Sequence, residues 1–115
     1  MEKKILVIDD EEPILYIIKE LFEDLGHRVT GKTDPKEGKR EAIEGEYDLI
    51  IVDLRMPKMD GAEVTKGILE KKPEARILIN TGFPGDPLAR KALDAGALSL
   101  IRKPFEIEKV YDFLK

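Results

Sequence analysis

Three short runs in this sequence are apolar without a break: Ile5 to Ile8, Leu49 to Val52 and Ile77 to Ile79. Each is rich in β-branched residues and none alternates with polar ones, which is the pattern of parallel strands buried on both faces. Parallel neighbours cannot be joined by a tight turn; each pair needs a crossover, usually a helix. Amphipathic stretches lie between the runs, where those crossovers are required. Two weaker runs, Arg28 to Lys32 and Leu98 to Arg102, are interrupted by polar residues, as suits strands at the edges of a sheet.

The helices are legible from their punctuation. Asp10 followed by Pro13 opens the first, which carries Ile14, Ile17, Ile18, Leu21, Phe22 and Leu25 and closes at Gly26. Asp34-Pro35 opens a second that ends near Gly45, and Asp60 with Glu63 has the spacing of a capping box for a third that ends before Pro73. Asp86-Pro87 opens a fourth that stops at Gly96, and a short fifth runs from about Glu106 through Val110 and Phe113. With 115 residues the chain has length for one domain, taken as residues 1–115. Five βα units are too few for an eight-stranded barrel, and right-handed crossovers then favour an open sheet with helices on both sides. The expected fold is an α/β, flavodoxin-like three-layer sandwich of five parallel strands in the order 2-1-3-4-5 with five helices. In such a fold ligands bind beyond the carboxyl ends of strands one and three.

The residues at that edge are polar: Asp9 and Asp10 after strand one, Asp53 after strand three, Thr81 after strand four and Lys103 after strand five. Neighbouring strands lie about 4.8 Å apart, so three carboxylates should share one pocket. Two like charges about 4 Å apart repel by roughly 4 kcal/mol at an effective dielectric of 20, so the cluster must protonate, bind a cation or recruit Lys103. Oxygen ligands select hard cations, and a site with few carboxylates leaves room for waters and a phosphate, which suits Mg²⁺. Taken singly, each acid can also be read as a helix cap. Four strand ends that all supply suitable groups favour the shared pocket.

Together these residues resemble the receiver domain of two-component response regulators, including its single-domain members. The resemblance covers essentially the whole chain and is carried by Asp9-Asp10, by the segment from Asp53 through Pro57 to Gly61, by Thr81-Gly82 and by Lys103-Pro104-Phe105. It implies that Asp53 accepts a phosphoryl group from a phosphohistidine of a sensor histidine kinase, and that Asp9, Asp10, Asp53 and the backbone carbonyl of Arg55 hold Mg²⁺. Thr81 and Lys103 would contact the phosphoryl oxygens. Ile14, Leu100, Pro104 and Phe105 are the expected partner-docking residues. The implied activity is self-promoted phosphorylation and dephosphorylation rather than that of a stand-alone enzyme. Signalling would then run through docking to an effector or onward relay to a phosphotransfer protein, no output domain being expected. Many family members carry an aromatic switch residue three positions before the lysine, where this chain has Leu100. Arg55 and Phe83 are expected to flank the path by which water reaches the acyl phosphate.

Other functions find less support. Lys and Arg are scattered and the net charge is −4, against direct nucleic-acid binding. Ile5 to Ile8 is too short for a membrane span or signal sequence, and the absence of cysteine fits a reducing cytoplasm, where a monomer is expected. The chain is 38% charged, with Asn80 as its only Asn and no Gln, a bias toward ion networks. The loop Thr81 to Pro87 lacks the Gly-Lys-Ser/Thr ending of a P-loop, and no Gly-x-Ser-x-Gly elbow exists. A phosphatase-type Asp-x-Asp is broken by Arg55. A flavin or nucleotide binder would need a phosphate-cradling loop after strand one, where this chain has four acids. His27, the only histidine, follows Gly26 and is expected as a solvated turn residue at the opposite edge, not a phosphodonor.

Overall fold

The structure, a computed structural model, describes residues 2–103 and 106–114. Five strands, β1 (Lys4–Ile8), β2 (Arg28–Lys32), β3 (Leu49–Asp53), β4 (Ile77–Thr81) and β5 (Ser99–Arg102), alternate with five helices. The helices are α1 (Glu12–Asp24), α2 (Pro35–Glu44), α3 (Gly61–Lys71), α4 (Pro87–Ala95) and α5 (Ile107–Leu114). The strands form one parallel sheet in the order β2-β1-β3-β4-β5, with the two polar-interrupted runs at its edges.

Period-two alternation sends consecutive strand residues to opposite faces of the sheet, so the unbroken apolar runs supply two cores. Leu6, Ile8, Ile50, Val52, Ile77 and Ile79 pack under α2, α3 and α4 with Ala42, Ile68 and Ala92. Ile5, Val7, Leu49, Ile51, Leu78 and Ile101 pack under α1 and α5 with Ile18, Phe22 and Val110. Among the described residues no helix is long and apolar enough to cross a membrane.

Three of the helices start as the sequence indicates. Asp34 and Asp86 accept the amides of Lys36 and Leu88, each at 3.0 Å, and each precedes a proline whose fixed φ suits the first helical position. Asp60 and Glu63 form the reciprocal capping box, at 2.9 and 3.1 Å. The first helix differs: its N-cap is Glu11, with no side-chain cap, and not Asp10. The carboxylate of Asp9 takes the Glu11 amide at 2.9 Å instead, so the chain turns at the strand end and the helix begins later. Small shifts also occur at β5 and α5, which begin at Ser99 and Ile107.

One glycine fixes the geometry of the carboxyl edge. A Cβ at Gly61 would stand 2.6 Å from the carbonyl oxygen of Asp53, so only glycine lets the loop after β3 fold back against the strand end. The Gly61 amide donates to the Leu54 carbonyl at 2.8 Å, holding that return.

Candidate functional site

Asp9, Asp10 and Asp53 meet at the switch point between β1 and β3, each offering a carboxylate oxygen within 4.8 Å of the others. Asp9 is 1% exposed and Asp53 2%, while Asp10 lies toward solvent. Lys103 reaches across from the end of β5 to place Nζ 2.9 Å from Asp53 Oδ1 and 3.6 Å from Glu11 Oε1. The five residues that end four separate strands are therefore neighbours, except that Thr81 is turned to its own loop. Its hydroxyl donates to the Phe83 carbonyl at 3.2 Å and accepts the Phe83 amide at 3.1 Å.

Burial sets the electrostatics. Desolvation pushes Asp9 up to about 6; the Glu11 amide pulls against this and the Asp53 charge adds to it. Asp53 is raised by the same desolvation, opposed by Lys103 and reinforced by Asp10. Burial alone would lower Lys103, but its hydrogen bond and charge interaction with Asp53, with Asp9 and Glu11 beyond, raise it and keep the ammonium charged. One ammonium stands among the three clustered carboxylates and that of Glu11. The remaining charge excess, carried on oxygen donors that include a buried carboxylate without further hydrogen bonds, fits a hard divalent cation.

A cavity of about 240 Å³ opens beside Asp53, bounded by Thr81, Gly82 and Lys103 and by Arg55, Phe83 and Asp86. Larger clefts lie along α5 and between α2 and α3, but among the described residues neither holds a buried carboxylate cluster. Arg55 makes a bidentate pair with Asp86, Nε to Oδ2 and Nη2 to Oδ1, both at 2.7 Å. That pair raises the Arg55 pKa and lowers that of Asp86, which also caps α4. The guanidinium is thus committed to the α4 cap, and Phe83 is 66% exposed at the rim. The sequence marks Asp86 as a helix start, and Arg55 as a carbonyl ligand and a flank of the water path; the ion pair between their side chains is not among those expectations. A free arginine on one loop and an aspartate on the next gave the only signal of the pair.

The expected docking residues are not gathered in one place. Ile14 is half-buried against the α1–α5 core, and Leu100 is half-buried against the α2–α4 core on the other side of the sheet. Pro104 and Phe105 lie outside the described residues. His27 is not a solvated turn residue: it is half-buried, its Nδ1 accepts the Lys3 amide at 3.0 Å, and its ring lies 6.2 Å from that of Phe22. It is at the opposite edge from the acids, as expected.

Fold and site together define a doubly wound domain with a triad of acids and a lysine at the ligand edge of its sheet. The family model described as the response regulator receiver domain matches residues 5–115, and the chain belongs to that family. The chemotaxis protein CheY of Thermotoga maritima is 29% identical over 115 residues, which is 99% of this chain and 96% of that protein. A response regulator receiver domain protein from Clostridium thermocellum superposes with a TM-score of 0.89 at 34% identity, covering 97% of this chain and 90% of that one. The receiver domain of a sensor histidine kinase from Pseudomonas aeruginosa, solved with a magnesium ion in its active-site cleft, gives 0.87 at 28% identity over 99% and 95%. The chain spans about half the length, 49% and 46%, of two transcriptional regulators of Bacillus subtilis that it also matches.

Proposed function

We propose that residues 1–115 act as a receiver in two-component signal transduction, with Asp53 accepting a phosphoryl group from a phosphohistidine of a sensor histidine kinase. The observation that carries this reading is the placement of Asp53: buried at the switch point, 2.9 Å from the Lys103 ammonium and grouped with two further carboxylates. Phosphoryl transfer asks a protein mainly to position the groups and to neutralise charge on the equatorial oxygens. Asp53 is the nucleophile, and the ammonium beside it favours the ionised form against the pull of desolvation. Lys103 follows the charge as it moves from the carboxylate to the phosphoryl oxygens. Thr81 turns its hydroxyl from the Phe83 backbone to the same oxygens. Asp9, Asp10, Asp53 and the Arg55 carbonyl would hold Mg²⁺, which when bound stabilises the negative charge that develops in transfer.

The same residues serve the reverse step, hydrolysis, so the domain sets the lifetime of its own signal without being a stand-alone enzyme. Ile14 at the start of α1, with Pro104 and Phe105 after Lys103, is the proposed kinase-docking group, and Leu100 on the other face would act separately. An effector or a phosphotransfer protein would read the phosphorylated state, the proposed compartment being the cytoplasm and the proposed state a monomer. The test is mass spectrometry after incubation with acetyl phosphate and Mg²⁺. Wild type should gain the mass of one phosphoryl group, and Asp53→Asn should gain none while keeping its far-ultraviolet circular dichroism. Uptake by Asp53→Asn at the native rate would contradict the assignment.

A further inference from the structure

Apart from the Lys103 ion pair, the buried side-chain oxygens and nitrogens that lack a hydrogen-bond partner among the described residues belong to Asp53, Asn80 and Thr65. Thr65 sits on α3, but Asp53 and Asn80 are Cα partners in the β3–β4 ladder. Ile51 and Leu78, two residues earlier on each strand, both pack in the α1–α5 core, so alternation brings Asp53 and Asn80 to the same face. Asn80 is 1% exposed and neither its Nδ2 nor its Oδ1 has a partner. A buried carboxamide in that state destabilises the fold, and a leucine of similar shape would remove the penalty. The next strand adds to the pattern: Ile101 pairs with Asn80 and lies two residues before Lys103, so the lysine crosses the end of β4 on its way to Asp53. An orphan donor and an orphan acceptor thus stand on adjacent strands, in register, beneath the Lys103 ammonium.

We propose that Asn80 is a positioning residue for Asp53: in the reacting state its Nδ2–H donates to one carboxylate oxygen and leaves the other as the nucleophile. This rests on the assignment of Asp53 as acceptor. In transfer from acetyl phosphate the free oxygen forms the new O–P bond as the P–O bond to acetate breaks, and the electron pair leaves with acetate. The oxygen held by Asn80 becomes the carbonyl oxygen of the acyl phosphate, and no proton is transferred. A hydrogen bond to that oxygen fixes the carboxylate rotamer and so places the attacking lone pair.

The test compares wild type, Asp53→Asn and Asn80→Leu with acetyl phosphate and Mg²⁺. Asn80→Leu should unfold at higher denaturant, yet its phosphorylation rate at saturating donor should fall about threefold to tenfold, the range of one hydrogen bond. The donor concentration for half-saturation should not change, because the donor is not what Asn80 holds. A folded Asn80→Leu that reacts at the wild-type rate overturns the proposal and leaves Asp53 in place as acceptor, whereas a wild type that takes no phosphoryl group overturns both. A second readout needs no substitution. Asn80 is the only Asn and there is no Gln, so one side-chain NH₂ pair appears in the ¹⁵N–¹H spectrum. If Asn80→Leu fails to fold, this pair decides: movement on phosphorylation supports the role, and an unmoved pair overturns it.

Discussion

The two edges of the sheet carry similar residues in opposite states. At the amino edge polar groups meet complements: the Lys3 amide donates to His27 Nδ1, the Lys4 amide to Asp48 Oδ2 at 2.8 Å, and Lys72 Nζ to the Gly45 carbonyl. At the carboxyl edge, built by the other ends of the same strands, three acids share one lysine, and Asp53 and Asn80 keep unpartnered atoms in the interior. What separates the two edges is polar satisfaction, since a paired group adds to the scaffold while an unpaired buried one costs stability.

The largest break in this contrast should come from Asp10→Ala. That substitution removes a proposed metal ligand near the surface, so Mg²⁺-dependent phosphorylation should fall about a hundredfold while the denaturant midpoint barely moves. Phosphorylation that persists in excess chelator would count against the metal site.

Asp9→Asn should sharpen the contrast through pH. Asp9 titrates near 6 in the folded protein against 3.8 as a free side chain, so the native state binds the extra proton between those values. Stability of the metal-free protein should therefore fall as pH rises from about 4 to about 6 and level off above. Asn cannot ionise, so the variant should lose that fall and gain on the order of 2 kcal/mol at neutral pH. Denaturant titrations with chelator across this range measure it, and equal slopes in both proteins would show that Asp9 is not the strained group.

The mirror experiment is His27→Ala, which should cost about 1 kcal/mol of stability through the Lys3 amide it leaves unpaired, with phosphorylation unchanged. The smallest effect belongs to the rim. Arg55→Asn releases Asp86 and opens the cavity beside Asp53, so decay of the phosphorylated protein should quicken a few-fold. An unaltered decay rate would mean that water reaches the site by another way.

Much of this was legible in the sequence because backbone rules are local. Unbroken β-branched runs mark the parallel strands, Asp-Pro pairs mark two helix starts, right-handed crossovers favour an open sheet, and five strands match the flavodoxin-like order among the usual ones. The acids at Asp9, Asp10 and Asp53 followed from that order, since parallel strands bring their carboxyl ends together. What escaped was set by side chains meeting across loops. The Arg55–Asp86 pair joins residues 31 apart, and the bond from Lys3 to His27 spans 24. In the sequence Asn80 stands out only as the sole Asn, and the register with Asp53 reveals what it faces.

The most direct measurement is chemical trapping of the phosphorylated side chain. Protein treated with acetyl phosphate and Mg²⁺ is reduced with borohydride, which converts an aspartyl phosphate to homoserine, and the site is read by peptide mass spectrometry. Homoserine at position 53 alone is the expected result. Homoserine at Asp9 or Asp10, or none at position 53 in protein that has gained a phosphoryl group, would contradict the placement of the acceptor at the end of β3.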